Sequence, residues 1–452
     1  MKRSYAYLLL GLIVAGVLGF TLIRYKNKSA SAEYFIKDRK GTSGNSNEWV
    51  VASKTATQLN NQLRTKPDDN KSRLALAELF IREGRITGDH IYYDVAAMKQ
   101  VNEVLKNDPK NFEALLYKSL LLLSQHHFAN GLKVAEDAQK INPHNAFVHG
   151  ILVDGNVEMG NYEAAVENSD KMVSIRPDIR SYSRISYLRE IHGDLPGAIE
   201  AMKMAVQAGL PGDESTEWAR VQLGKLYEYA GDMKNAEVQY IIALEQRQDY
   251  AYALAGLARV ASSSADYKKA IQLYESADSL MNGYAFKEEL IELYETSGDK
   301  AKSKELSKIV IDGMSNDAKS GETDENIGHY ADRELAYAYV ADGNFDKALD
   351  HALLEYNRRP DNIDVNEVLA WVHYKKKDYG KALSYIKVAL RTNSANPVLL
   401  SRAGLIYLAN GDKVSALSYL QKGLEKNPNI SITLKMEAKK QLENLNPGTV
   451  AK

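Results

Sequence analysis

A six-residue element, Gly-(Asp/Asn)-x-x-x-Ala, returns along most of this chain at a spacing close to 34 residues, and nothing else in the sequence constrains the fold as strongly. Full copies are Gly160-Asn161-Tyr162 with Ala165, Gly193-Asp194 with Ala198, Gly231-Asp232 with Ala236, Gly343-Asn344-Phe345 with Ala348, and Gly411-Asp412 with Ala416. Weaker copies fill the gaps at Ala265-Asp266 with Ala270, Gly298-Asp299 with Ser303, Lys377-Asp378 with Ala382, and His127-Phe128 with Gly131. Glycine permits the left-handed turn that closes a first helix, and the Asp or Asn caps the N–H groups that open a second. The alanine, one turn into that second helix, lets two antiparallel helices approach closely; a larger side chain would overpack the crossing by about 1–3 kcal/mol. Pro109, Pro143, Pro177, Pro360 and Pro428 break the chain before the following helix. One helix pair cannot bury its own apolar face, so the pairs must stack.

These residues resemble the tetratricopeptide repeat (TPR) family, in its membrane-anchored bacterial form, whose period is also 34. The resemblance covers roughly residues 67–430. It implies an all-α fold, a right-handed α-α superhelical solenoid of about ten helix pairs. The repeats begin near Asn70, Phe112, Ala146, Ile179, Glu217, Ala251, Tyr284, His329, Ile363 and Pro397. Three connections exceed the period: Gly84 to Asp94, Gly209 to Ser215, and Met314 to Gly328. Insertions in a solenoid are pushed out as loops, and that is the expectation for all three. Residues 431–446 read as a further helix covering the open apolar end, with a tail at 447–452.

The N-terminus carries a second signal. After the tail at residues 1–4, with Lys2 and Arg3, come nineteen uncharged residues, Tyr5 to Ile23, followed by Arg24, Lys26 and Lys28. As a helix that stretch is about 28 Å long, enough to cross a bilayer as a transmembrane helix. A cleaved signal peptide is the rival reading, because Ala30-Ser31-Ala32 has the small-x-small form of a cleavage site. The length of the apolar run and the charges behind it favour an uncleaved anchor in the cell membrane. Counting basic residues on each side would leave the repeats in the cytoplasm. A short basic tail before a first apolar segment is also the pattern of an exporting signal anchor, and the extracytoplasmic side is preferred. Gly11, Ala15 and Gly19 make a small-residue stripe able to pair helices, which sets a homo-oligomer through the anchor beside contact with lipid as an expectation. Residues 24–48 read as a flexible linker and 49–66 as a lone amphipathic helix.

The resemblance also implies where a partner would lie. First helices of TPR pairs line a concave groove, and the positions that face it map here onto Phe147, Tyr187, Trp218, Lys225, Tyr252, Arg259, Tyr330, Tyr337 and Trp371, with Arg184, Arg333 and Arg402 beside them. Aromatics give contact area at low entropy cost and arginine binds carboxylates through paired hydrogen bonds, so an apolar peptide carrying some acids would fit. Tyrosine is abundant, 28 against 8 phenylalanines, so several of these rings are equally well explained by packing between repeats. Glu288, Glu289, Glu292 and Glu295 form an acidic stretch on the seventh repeat, read first as a solvated face. The Lys-x-x-Gly-Asn element that opens a chaperone-tail clamp is absent; Gln222-Leu223-Gly224-Lys225 lacks its lysine and its asparagine.

Composition restricts the function classes. With 58 basic and 59 acidic side chains the net charge is −1, and no basic stripe suggests a nucleic-acid partner. The absence of cysteine excludes disulfides, a thiol nucleophile and a cysteine-bound metal. No nucleophile elbow, phosphate loop, zinc helix or dinucleotide fingerprint occurs, and the nine histidines are scattered. No cofactor, metal or enzymatic activity is therefore expected. The irregular insert GRITGDHIYYD in the first repeat is the one local departure, and a long inter-helix loop is the expectation for it. The preferred reading is a membrane-tethered adaptor that holds an extended segment or partner subunit in its groove during assembly of an envelope complex. The alternative is a structural subunit that binds through its convex face or its anchor.

Overall fold

The computed structural model describes residues 34–323, 329–425 and 430–445. The expected anchor at 5–23, with Gly11, Ala15 and Gly19, lies outside the described residues. Among the described residues there are twenty-two α-helices and no strand, and no helix is long and apolar enough to cross a membrane. After α1 (Asn47–Thr65) come ten helix pairs. They are α2/α3 (Asn70–Thr87, His90–Asn107), α4/α5 (Phe112–Ser124, Phe128–Ile141), α6/α7 (Ala146–Met159, Tyr162–Ile175), α8/α9 (Ile179–Ile191, Leu195–Ala208) and α10/α11 (Glu214–Tyr229, Met233–Gln246). The second five are α12/α13 (Ala251–Ser263, Tyr267–Leu280), α14/α15 (Lys287–Ser297, Lys300–Thr323), α16/α17 (Asp332–Ala341, Phe345–Arg358), α18/α19 (Ile363–Lys375, Tyr379–Ala389) and α20/α21 (Pro397–Ala409, Lys413–Glu425). A last helix, α22 (Ile432–Leu445), follows.

The repeated element does locally what its chemistry dictates. Gly160, Gly193, Gly231, Gly343 and Gly411 all take positive φ, between 78° and 86°. Asp194, Asp232, Asn344 and Asp412 accept backbone N–H groups of the next helix as caps. The alanines at 165, 198, 236, 270, 348, 382 and 416 are fully buried in the helix crossings. Where the weak copies lack glycine, His126, Ala265 and Lys377 adopt the same left-handed turn, at φ 61–64°. The array therefore accepts a strain of roughly 1–2 kcal/mol at each of these positions.

Successive coils of the superhelix touch. The turn inside the first pair meets the junction of α13 and α14, with Asn282 N donating to Thr87 O at 2.9 Å. In the second pair the turn meets the chain entering α16, where Tyr330 N donates to Gln125 O at 3.2 Å. The third turn meets the junction of α17 and α18, with Ile363 N donating to Tyr162 Oη at 2.9 Å and Asn362 Nδ2 to Glu158 O at 3.0 Å. The fourth turn, at Gly193, lies against Asn393. Each turn thus contacts a junction between five and six repeats further on, and the four contacts form one seam.

Three expectations are corrected. The chain from residue 34 onward is no flexible linker: Arg39 is buried and paired to the fully buried Glu83 through two hydrogen bonds of 2.9 and 2.6 Å. Lys40 Nζ reaches Met281 O and Thr42 N reaches Asp249 Oδ2, so this strap ties the first repeat to the fifth and sixth. Secondly, the first-repeat insert is not a loop. Helix α2 runs on to Thr87 and α3 starts at His90, because Glu83 and Thr87 of the one and Tyr93, Ala97, Val101 and Val104 of the other are buried at helical spacing. Tyr93 Oη accepts Lys37 N and Tyr92 Oη donates to Phe35 O, so the insert's tyrosines seat the strap. Thirdly, the connection expected as a loop from Met314 is helical to Thr323, since Val310 and Met314 pack into the core under α16.

Candidate partner-binding groove

First helices of the pairs face inward, and their arginines meet carboxylates rather than open water. Arg184 (α8) binds Asp154 (α6) through Nε at 2.9 Å and Nη2 at 2.5 Å. Arg259 (α12) binds Glu228 (α10) at 3.1 Å and also donates to Tyr240 Oη. Arg333 (α16) meets Glu334 at 3.1 Å and Asp364 (α18) at 3.4 Å. Arg402 (α20) meets Glu367 (α18) at 2.5 Å and Tyr337 Oη at 3.0 Å. Tyr337 in turn donates to Glu367. A ladder of ion pairs therefore links the inner helices. Each rung joins residues 30 to 35 apart, about one repeat. That regularity was the signal in the sequence that the carboxylates, and not a partner, neutralise these cations.

The aromatic positions divide in the same way. Phe147 packs between the first two core clusters with the Arg180 guanidinium over its ring at 5.4 Å. Trp218 packs against the cluster of Ala219 and Leu223. Tyr252 sits between Tyr250 and Phe286, at 5.6 and 5.8 Å. Tyr330 belongs to the seam, stacked on His127 at 4.2 Å. Trp371, at 5% exposure, is core, with the Arg402 guanidinium over its ring at 4.8 Å. These rings offer a partner little surface. Burial between repeats wins because a helix pair in a stacked array presents its apolar face to the next pair before it presents it to anything else.

What remains open on the inner face is Tyr187, 40% exposed, and Lys225, whose Nζ lies 5.7 Å from the Tyr229 ring. With them stand Glu190, Glu288 and Glu289, which make no ion pair among the described residues. Enclosure by the coil raises the Glu288 carboxyl to about 7, with Glu289 adding repulsion, and raises Glu289 and Glu190 as well. Tyr187 is pushed well up by the same enclosure, with the charges of Asp364 on α18 and Glu158 on the neighbouring α6 adding to it. The free charge of the channel is acidic, three carboxylates against Lys225.

At the C-terminal end the inner face is already covered. Helix α22 places Leu434 and Ala438 in one apolar cluster with Trp371, Leu405 and Leu420. Glu437 accepts Tyr374 Oη at 2.7 Å and Lys375 Nζ at 3.1 Å. Glu292 of α14 takes Thr433 N at 3.1 Å and Ser431 Oγ at 2.5 Å. Among the described residues no group of three His, Asp or Glu side chains is placed to hold a metal ion.

Two family models match, both described as tetratricopeptide repeat, at residues 253–279 and 333–397. These stretches carry TPRs. The comparison with curated proteins found no match. Among solved structures, a thermophilic TPR protein of Thermus thermophilus is similar at 21% identity and a TM-score of 0.37, over 43% of this chain and 97% of its own. A tetratricopeptide repeat protein from Parabacteroides merdae is similar at 17% and 0.34, over 59% and 98%. The Cut9–Hcn1 hetero-tetramer of the APC/C is similar at 13% and 0.37, over 84% of this chain and 63% of that one. TPR proteins generally mediate protein–protein interaction, and no catalytic family is indicated for this chain.

Proposed function

We propose that this chain is a membrane-tethered, non-enzymatic scaffold that holds a protein segment in the inner channel of its superhelix during assembly of an envelope complex. One observation carries the reading: Tyr187, Lys225, Glu190, Glu288 and Glu289 stand on a concave wall on which Arg184, Arg259, Arg333 and Arg402 are all matched by carboxylates. Unmatched charge and an open ring inside an enclosure gain most from a ligand that supplies the missing partners. The apolar run Tyr5–Ile23 supports the tether, with lipid contact and pairing through Gly11, Ala15 and Gly19, and the repeats on the extracytoplasmic side.

The ion-pair ladder decides which variants test this. Arg259→Ala would strand the buried Glu228 and disturb the fold, so loss of a partner would mean nothing. Tyr187→Ala with Glu289→Gln removes open groups only. Full-length protein is captured from gently solubilised membranes with and without this pair of changes, and bound proteins are compared by mass spectrometry. A partner lost from the double variant, with thermal unfolding unchanged, supports the channel; a partner set identical in both refutes it and favours the convex-face alternative.

A further inference from the structure

We propose that residues 34–46 are a releasable latch on the superhelix, seated firmly on the first repeat and caught only lightly on the fifth and sixth. The first coil then opens and closes while the coils behind it stay joined. The use of such a latch rests on the channel reading: a tube whose coils touch admits a chain only at its ends, and one opened at its first coil admits a chain from the side.

The two ends of the segment are held differently. At its start, Tyr34 and Ile36 pack against the core cluster that contains Phe80, Tyr93 and Val101. Lys37 N donates to Tyr93 Oη at 2.9 Å, and the buried Arg39 pairs with the fully buried Glu83. At its far end, residues 40–46, KGTSGNS, carry no apolar side chain to bury. They reach the fifth and sixth repeats through hydrogen bonds: Lys40 Nζ to Met281 O at 2.7 Å, Thr42 N to Asp249 Oδ2 at 3.0 Å and Thr42 Oγ1 to Gln248 O at 3.3 Å. Lys40, Thr42 and Asp249 are all exposed. The turn beside them adds further polar links, Asn282 N to Thr87 O at 2.9 Å and the half-exposed Arg85 to Glu214 at 3.0 Å. The third turn is the contrast. There Asn362 and Tyr162 are buried, and the buried Arg359 carries the ion pair to Glu158. Exposed hydrogen bonds exchange readily with water, whereas a buried ion pair that parts leaves its charges uncompensated. The seam therefore opens first where it is exposed, at its first turn. A segment entering the channel would meet the open form and be retained by the closed one.

The chain has no cysteine, so spin labels go only where a cysteine is introduced. Ile91→Cys on α3 with Gln272→Cys on α13 reports the first coil, and Glu163→Cys on α7 with Lys387→Cys on α19 reports the third turn; all four positions are exposed. Double electron–electron resonance is recorded on each labelled full-length chain, with and without Lys40→Ala and Asp249→Gly. These changes remove two of the hydrogen bonds of the catch, and glycine keeps the left-handed backbone of residue 249, φ 58°. In the altered chain a longer distance across the first coil is expected to gain population by about fivefold for each hydrogen bond removed. The distance at the third turn should not move. A first-coil distance that also stays unchanged overturns the proposal, and so does lengthening at both places, which would mean general loosening rather than a latch. Should the altered chain lose helical content, Gly41→Val replaces it, since a Cβ there would be driven against Leu280 Cδ2, and the same outcomes decide. The distances are read on the isolated chain without a partner, so failure here leaves the channel reading standing, and failure of partner capture leaves the latch standing.

Discussion

The turns at Gly160 and Gly343 have the same backbone, φ +81° and +78°, and the same position in their repeats, yet they sit in opposite surroundings. A Cβ on Gly160 would overlap the carbonyl of Asp361 in the next coil, whereas a Cβ on Gly343 would meet nothing within 4 Å. The first four turns are pressed into the seam, while the turns at Gly298, Gly343 and Gly411 face open space. One local device thus serves two purposes. In both halves glycine relieves a strained turn; in the early half it also lets two coils approach backbone to backbone.

This contrast can be broken most severely at Arg359. Its side chain, 2% exposed, spans the seam from α17 to Glu158, pairs with Glu355 and covers the Phe128 ring at 4.4 Å. Arg359→Ala should destabilise the protein by about 3–5 kcal/mol in urea unfolding, because it strands a buried carboxylate. Arg333→Ala, in the channel with half-exposed partners, should cost no more than about 1 kcal/mol. Equal effects would mean that the coils do not rely on the seam. At the glycines the difference narrows. Gly160→Ala combines a left-handed cost of about 1–2 kcal/mol with overpacking of about 1–3 kcal/mol, and Gly343→Ala incurs only the first. Hydrogen exchange at the Ile363 amide, which donates to Tyr162 across the seam, should quicken in the first variant and not in the second.

The two regions should also titrate in opposite directions. At the seam, burial lowers His126, and burial together with His126 lowers His329 to about 4; Glu334 opposes both shifts. These imidazoles fold in the neutral form, so their contribution is complete above the ordinary value of 6.5 and is lost as pH falls towards about 4. In the channel, Glu288 is raised from 4.5 to about 7, so its contribution is complete below 4.5 and is lost as pH rises through 7. Melting temperature followed against pH should lose its acid limb with His329→Gln and its rise-in-pH loss with Glu288→Gln; interchange of the two effects would contradict the assignment. The smallest stability effect is expected for Tyr187→Ala with Glu289→Gln, within about 0.5 kcal/mol in the same unfolding assay.

Features made by neighbouring residues were legible in the sequence. Glycine, cap and alanine lie within six positions, so the turn and the crossing they build are read directly, and the all-α solenoid of helix pairs follows. The inner face was legible only in part. Arg184, Arg259, Arg333 and Arg402 do lie on first helices, but Asp154, Glu228, Asp364 and Glu367 sit one repeat away and take up their charge. The strap was missed altogether, since Arg39 and Glu83 are 44 residues apart with no pattern between them. Polar residues 34–48 look like a linker until their burial is known.

The sequence by itself determined the unit: a helix pair of fixed length, closed by a left-handed turn and obliged to stack. Only the tertiary structure decided how tightly the stack winds, and therefore that Gly160 touches Asp361, that residues 34–46 tie the first repeat to the fifth and sixth, and that α22 lies on the inner wall. The physical reason is accumulation. A small rotation between neighbouring pairs leaves no mark on any one repeat, but over five or six repeats it brings surfaces together that no local pattern could have matched.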